Sequence, residues 1–497
     1  MTPFSEFRAS PTHIQIALDD SPDTPSAIDT SHNIPSYHLV KLANNITYQR
    51  YKKTIQCLKN SQNSSFTASP LYEMLEKMFS NYEGLSRKMP ICRESPENLK
   101  IREDQSSPGG LIFKNKNLNK SQQKAIEFCL NPDRVLSCIQ GPPGTGKTTT
   151  VVELILQYQK LGLKVLAVAP SNIAVDNILS KLADQGESSL SPGKVLRLGH
   201  PARIKIKQTE NKKKNLINYS IETLLENSEQ KQLAEDIKKE ISSCTSWKEK
   251  KLLFQDLRDR EKRARKEVFK FADVILGTTT SVVFGHKAEL SQGSTANSDS
   301  NPNFDVVIID EASQCIEMAA LQSVICAKKL VLAGDHMQLP PTVLSHQAAK
   351  TGLNMTLLER SIKYFGQEVH KLLQVQYRMN EKIMKWSNFK FYENLVESDP
   401  SCKYNKLDLE TGQNCPVIEF IDTTDCDFSE FTDEAGSTGN YFEAEIIKIQ
   451  CERLVKDFGV KASEIGVVTP YNAQTSLIKG LLGAEDSLRD FLKIRHF

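Results

Sequence analysis

The sequence predicts an α/β protein built on two parallel-sheet units, the second incomplete, with a helical insertion in the first and helical struts ahead of it. Three observations carry this expectation. From Leu118 to about Arg360, β-branched apolar runs alternate with helical segments, the pattern of a parallel sheet covered on both faces. A glycine-rich turn joins the first of these runs to the helix after it, at the sheet edge where open α/β folds bind ligands. A similar alternation restarts after Arg360 and stops early.

The elements follow in chain order. Thr12 to Ala17 alternates as a strand does, and an Asp/Ser/Pro-rich stretch through Pro35 reads as loop; one short strand cannot fold alone, so residues 1–37 are expected to have little structure of their own. Between His38 and Lys59, Leu39, Leu42 and Ile46, then Tyr51, Ile55 and Leu58, fall at helical intervals, and Leu71 to Met78 offers a second short helix. These are the struts, and with the Pro/Ser-rich linker Ser95 to Gly110 they fill residues 38–110. The first unit is assigned residues 111–360, with strands at Val135–Gln140, Lys164–Ala169, Val274–Gly277, Val306–Ile309 and Leu330–Ala333. An insertion at about 208–271 has a different texture: apolar positions Ile221, Leu224, Leu225, Leu233, Ile237 and Ile241 on a background of Lys, Glu and Gln, a charged helical hairpin from Ser220 to about Phe271. Ser291 to Asn303 reads as a polar loop. The second unit, 361–497, is given strands near Val417–Ile421 and Ile465–Val468 and helices near Asn440–Leu454 and Asn472–Leu482.

Composition narrows the class. The 497 residues are 25% charged and 39% hydrophobic, globular values at a length that suggests about two to four domains. With 63 Lys+Arg against 61 Asp+Glu the net charge is +2, which neither demands nor excludes a polyanionic partner. Eleven cysteines, an odd number without C-x-x-C pairs, argue for free thiols in a reducing compartment. No apolar run is long enough to span a bilayer and no secretory signal opens the chain, so no membrane partner is expected and the nucleus or cytoplasm is.

Gly141-Pro142-Pro143-Gly144-Thr145-Gly146-Lys147-Thr148 ends an expected strand and opens an expected helix, the context a phosphate loop requires. Its glycines let backbone wrap phosphates, and the helix N-terminus adds donors and a favourable dipole. Lys147 suits the β/γ oxygens and Thr148 suits Mg²⁺. Val306-Val-Ile-Ile-Asp310-Glu311 ends a fully apolar strand in two carboxylates. There Asp310 can hold Mg²⁺ through water, and Glu311 can orient and deprotonate an attacking water. The next strand ends in Gly334-Asp335-His336-Met-Gln338, placing Gln338 where an amide meets a γ-phosphate or its water. In Gln376-Tyr377-Arg378-Met379, the aromatic can stack on a base and the arginine can neutralise a γ-phosphate across a cleft. Taken alone, each of the last two is as compatible with an ordinary polar loop; no guanine-reading Asn-Lys-x-Asp accompanies them, which disfavours a GTPase.

This set of motifs resembles the Upf-like group of superfamily 1 DNA/RNA helicases, the group of the nonsense-decay and immunoglobulin-mu-binding-protein helicases, over about Lys41 to Asn472. Beyond the motifs above, the resemblance rests on Lys41-Leu-Ala-Asn-Asn-Ile-Thr-Tyr48, Leu118-Asn-Lys-Ser-Gln122, Ala169-Pro-Ser-Asn-Ile-Ala-Val-Asp-Asn177 and Arg197-Leu-Gly-His-Pro-Ala-Arg203. It implies two RecA-like domains and an ATP-dependent helicase or translocase on single-stranded DNA or RNA, moving 5′ to 3′ and acting as a monomer, with ATP and Mg²⁺ as cofactors and association with ribonucleoprotein or the ribosome. It makes Gln122 an adenine reader, assigns Gln338 and Arg378 to the γ-phosphate and Tyr377 to adenine stacking, and adds Glu443 to the nucleotide pocket. It lays the nucleic-acid strand over Pro170, Ser171, Asn172 and Asn177, over Thr278, Thr279 and Thr280, and over Pro470, Tyr471 and Asn472. Small hydroxyl and amide side chains suit sugar-phosphate contact without reading sequence. The family pattern continues past Phe497 with a glycine-glutamine loop and a final arginine motif, so the sequence also raises the expectation of a binding protein with impaired hydrolysis.

Overall fold

In the computed structural model the described residues are 4–9, 14–18, 45–59, 69–79, 111–185, 190–199, 216–226, 237, 240–241, 247–281, 304–407, 415–483 and 495–496. The expected linker at 95–110 and polar loop at 291–303 lie outside them. The chain divides into residues 1–50 and 51–497. In the first, β1 (Phe4–Ala9) pairs antiparallel with β2 (Ile14–Leu18), so the single alternating strand foreseen at Thr12–Ala17 has a partner that the sequence reading missed.

In the second unit a seven-stranded sheet runs parallel throughout. Its strands are β3 (Leu136–Gln140), β4 (Val165–Ala169), β5 (Val195–Arg197), β6 (Val274–Thr278), β7 (Phe304–Ile309), β8 (Ala327–Gly334) and β9 (His370–Leu372), in the order β5-β6-β4-β7-β8-β3-β9. All five expected strands are present. The two additions are the edges: β5 and β9 have only three residues each, too short to leave a periodic signature. Since β9 pairs with β3, the sheet takes a strand from beyond residue 360, where the second unit was expected to open.

Strand side chains alternate between two faces, and each face has its own core. Leu166, Val168, Leu196, Ile275, Val307 and Ile309 point one way; Val165, Ala167, Val274, Leu276, Val306 and Ile308 point the other. The second face is covered by α3 (Lys120–Leu130), α4 (Lys147–Lys160) and α5 (Asn172–Ala183). The first is covered by α2 (Pro70–Phe79), with α8 (Glu317–Val324) and α9 (Leu357–Phe365) placed further along the chain. Leu71, Met74 and Met78 of α2 are buried in that core, so this strut is part of the sheet's hydrophobic layer, and Tyr51 and Leu58 of α1 (Asn45–Lys59) pack against it.

The insertion is helical as expected, with α6 (Ile221–Glu226) and a 25-residue amphipathic α7 (Trp247–Phe271); Ile237 and Leu257 make a small core of their own. Beyond β9 come β10 (Val375–Gln376), α10 (Glu381–Phe391), β11 (Glu397–Ser398), β12 (Glu430–Thr432), β13 (Thr438–Asn440), α11 (Tyr441–Lys456), β14 (Val468–Thr469), α12 (Asn472–Gly483) and β15 (Arg495–His496). Both expected helices are found, packed on each other through Ala444, Cys451, Ile478 and Leu482. The strand expected at Val417–Ile421 is not formed: Ile418 is 56% and Phe420 86% exposed, so neither has the sheet neighbour that makes an apolar run a strand. The strand expected at Ile465–Val468 shrinks to Val468–Thr469. Among the described residues the cysteines are free, and no described helix is long and apolar enough to cross a membrane.

Candidate nucleotide site and nucleic-acid interface

Parallel strands deliver their C-terminal ends to one edge, and the sequence places its polar residues there. At the end of β3, Gly141 donates its amide to the Gly334 carbonyl at the end of β8, 2.9 Å away, which seats the loop on the sheet. Gly144 and Gly146 hold φ of +80° and +78°, a region β-carbons disfavour. The space is closed as well: a β-carbon on Gly144 would lie 2.5 Å from Arg378 Cβ, and one on Gly146 2.6 Å from Gln122 Nε2. Thr145 closes the turn by donating its hydroxyl to the Pro142 carbonyl at 2.7 Å. Lys147 and Thr148 then open α4, so its first-turn amides face the loop.

Asp310 and Glu311 leave β7 beside this helix. Asp310 is buried and takes a 3.3 Å bond from the Thr148 hydroxyl. Lys147 Nζ lies 2.7 Å from Glu311 Oε2 and 3.9 Å from Asp310 Oδ1, so one cation holds two adjacent carboxylates. Burial raises the Asp310 pKa above its ordinary 3.8, opposed by Lys147 and reinforced by Glu311. Glu311 has φ of +53°, a left-handed conformation unusual for a residue with a β-carbon, which turns the chain at the strand end.

Gln122 lies in the first turn of α3, which Asn119 caps. Its Oε1 accepts the Asn119 backbone amide at 3.0 Å while Asn119 Oδ1 accepts the Gln122 backbone amide, a reciprocal capping box. Its Nε2 donates to the Thr145 carbonyl at 3.0 Å, tying this segment to the phosphate loop. Tyr377 closes the other side: its amide donates to the Gly144 carbonyl at 2.9 Å and its hydroxyl accepts from Asn119 Nδ2 at 3.1 Å. Gln376 Oε1 accepts the Arg378 amide at 2.8 Å, fixing the turn that presents the exposed Arg378 next to Gly144.

Asp335, given no role by the sequence reading, is the buried hub of the next group. Its Oδ1 accepts from Gln140 Nε2 at 3.0 Å and the Met337 amide at 3.2 Å; its Oδ2 accepts from Gln338 Nε2 and the Tyr392 hydroxyl, both at 2.7 Å. Gln140 in turn contacts His370 Nε2 at 2.8 Å. Burial and the neighbouring His336 lower the His370 pKa to about 4, so its imidazole is neutral and, with Gln140 Oε1 as acceptor, donates from Nε2. Gln338 is thereby joined to the phosphate-loop strand through one carboxylate. The only advance signal for Asp335 was its place at a strand end.

One strand further along the same edge lie the expected nucleic-acid residues. Ala169 pairs with Thr278 across β4 and β6, so Pro170–Asn172 and Thr278–Thr280 lie side by side. Ser171 caps α5 by accepting the Ala174 amide, and Asn177 is exposed on the same helix. The Thr278 hydroxyl is engaged with Ser281, and the Thr279 amide with the Ala169 carbonyl. The remaining expected residues lie in the α11–α12 module. Pro470 and Tyr471 are exposed ahead of α12 and Asn472 is exposed as its first residue; the Glu443 amide is capped by Asn440, and its carboxylate accepts a 3.3 Å bond from Thr423. Among the described residues, no hydrogen bond joins these four to the phosphate loop.

A parallel sheet with a phosphate loop after its first strand and a paired carboxylate after β7 is a phosphate-loop nucleotide-binding fold. AAA-domain family models match residues 117–250 and 242–346, and a second one matches 353–495. The chain is 35% identical over 492 residues to the DNA-binding protein SMUBP-2 of Mus musculus, covering 95% of this chain and 44% of that protein. It is 33% identical over 523 residues to the DNA polymerase alpha-associated DNA helicase A of Saccharomyces cerevisiae, covering 97% and 70% respectively. To the ATP-dependent helicase NAM7 of the same yeast it is 30% identical over 387 residues, covering 76% and 36%. The chain belongs to the Upf-like group of superfamily 1 helicases. It spans less than half the length of the mouse relative.

Proposed function

We propose that this chain is the motor core of an ATP-dependent helicase or translocase acting on single-stranded DNA or RNA, in the 5′-to-3′ direction, as a monomer and in association with ribonucleoprotein or ribosomes. The observation that carries the reading is the convergence of Lys147, Thr148, Asp310 and Glu311 on the sheet edge that also holds Pro170–Asn172 and Thr278–Thr280.

The residues fit a magnesium nucleotide. Side-chain-free backbone at Gly144 and Gly146 makes the cradle, and the Thr148 hydroxyl with the Asp310 carboxylate is an oxygen pair of the kind Mg²⁺ takes. Bound there, Mg²⁺ would neutralise charge on the phosphate oxygens. Lys147, which pairs with Glu311 in this structure, exchanges that partner for the phosphates. Glu311 is then released to orient the attacking water and take its proton, and Gln338 meets the γ-phosphate or that water. Arg378 neutralises charge as the bond breaks, a contribution of about 10³ to 10⁵ in rate for such arginines. Tyr377 stacks on adenine, Gln122 reads its edge, and Glu443 joins the pocket when the α11–α12 module closes on it. Pro170, Ser171, Asn172, Asn177, Thr278, Thr279, Thr280, Pro470, Tyr471 and Asn472 carry the strand.

The test is ATP hydrolysis by the purified chain with and without oligonucleotide. Glu311→Gln is expected to keep ATP binding and to lose turnover by about 10² to 10⁴, while Lys147→Ala loses binding. Unchanged, oligonucleotide-stimulated turnover in Glu311→Gln would remove the carboxylate pair from the mechanism.

A further inference from the structure

The Arg197 side chain is wholly buried, yet it sits beside a residue of the nucleic-acid edge. It leaves the sheet's edge strand β5 on the face covered by α5 and reaches under that helix's first turn. Its Nε donates to Asp176 Oδ1 at 3.0 Å, its Nη2 to Asn172 Oδ1 at 2.8 Å, and its Nη1 to the Leu198 carbonyl. Asn172 and Asp176 are four residues apart and share one face of the helix. A single guanidinium therefore clasps both, with Asp176 balancing its charge inside the protein.

The consequence is chemical. A guanidinium only donates, so the Asn172 side chain must turn its oxygen inward to accept, which turns its NH₂ group away from Arg197. Asn172 lies next to the exposed Ser171 at the sheet's open edge. An amide free to flip would offer a donor or an acceptor; this one offers donors. Donors are what a phosphate oxygen of a nucleic-acid strand accepts. We propose that Arg197 is a positioning residue for nucleic-acid binding, which acts through Asn172 by locking its amide with the NH₂ toward the sugar-phosphate backbone. This rests on the reading of Pro170–Asn172 as part of the strand's path.

The experiment measures binding of the full chain to a fluorescein-labelled oligothymidylate of about 15 nucleotides, and to an oligouridylate of the same length, by anisotropy at several salt concentrations. Binding of a fluorescent ADP with Mg²⁺ reports whether the site and fold are intact. Asn172→Asp keeps an acceptor for Arg197 but replaces the donor with charged oxygen. It is expected to weaken both oligonucleotides by about tenfold or more and to lower the salt slope by about 1, with ADP affinity unchanged within about twofold. Arg197→Lys, which keeps the charge for Asp176 but not the fork, is expected to weaken them about three- to tenfold. In Arg197→Lys/Asn172→Ala the loss should equal that of Asn172→Ala alone, as required if Arg197 acts through Asn172.

Additive losses, or unchanged binding in Asn172→Asp, overturn the proposal. Should Arg197→Lys fail to bind ADP, Asn172→Asp decides, since it leaves the arginine paired. Asn177→Ala and Tyr471→Ala separate the two levels of failure. If they weaken binding while Asn172→Asp does not, only the role of Arg197 falls; if no variant has an effect, or the wild-type chain binds neither oligonucleotide, the strand path falls with it. A loss confined to one oligonucleotide would assign the contact to DNA or to RNA and uphold the donor role.

Discussion

At the residue scale, the nucleotide edge is held under tension by charge and by backbone. Asp310 is buried with its pKa raised, so its ionised form is less favourable in the folded protein than in the unfolded chain. Such a group contributes stability below the unfolded pKa of 3.8 and loses it as pH rises through the higher folded value. Asp310→Asn should therefore melt at a higher temperature than the parent near pH 7 without nucleotide, with the gain shrinking as pH falls toward 4. Lys147 keeps Glu311 as partner in that variant. A melting temperature unchanged or lowered near pH 7 would show that the Lys147–Asp310 attraction outweighs burial. Gly144→Ala puts a β-carbon at φ +80° against Arg378, so it should cost turnover by displacing the arginine as well as strain the loop. We expect a larger fall in kcat than in ATP affinity, read from oligonucleotide-stimulated ATPase kinetics.

At the element scale, one carboxylate links three segments. Asp335 follows β8, Gln140 ends β3, and Tyr392 follows α10, so the segment after the Gln376–Met379 turn is pinned to the loop that carries Gln338. Tyr392→Phe removes one donor from a buried acceptor and should cost about 1–3 kcal/mol, measured as a shift in urea midpoint without change in slope. His370 adds a pH dependence of definite sign. Its folded pKa, about 4, lies below the ordinary 6.5, so the unfolded chain takes up a proton first as pH falls. Stability should decline from pH 6.5 toward 4, and His370→Gln should flatten that decline in a urea-midpoint series across the window.

At the scale of the whole molecule, the unit of residues 51–497 is organised around one sheet whose two faces have separate cores. The strut α2 belongs to the first of them. Leu71 and Met74 are fully buried, so Leu71→Ala or Met74→Ala should each destabilise the chain by about 2–5 kcal/mol, seen as loss in the cooperative unfolding of the sheet itself. An undisturbed sheet transition would mean that α2 is an appendage. The sheet edge is partitioned as well: the ends of β3, β8 and β7 carry the residues proposed for the nucleotide, while the ends of β4 and β6 carry those proposed for the nucleic-acid strand.

The sequence by itself determined the parallel sheet, its five long strands, the helical insertion and the phosphate loop with its carboxylate pair. These are written in local periodicity and in short contiguous motifs, where a few neighbouring residues carry the whole requirement. It had less hold on β5 and β9, three residues each, and it proposed a strand at Val417–Ile421, where a mostly apolar run has no neighbour to pair with. Only the tertiary structure decided which distant groups meet. Asp335 with Tyr392, and Arg197 with Asn172 and Asp176, are joined across 57, 25 and 21 residues. The reason is physical: a buried polar group must find its partner somewhere in space, and nothing in the local chain records where that partner lies.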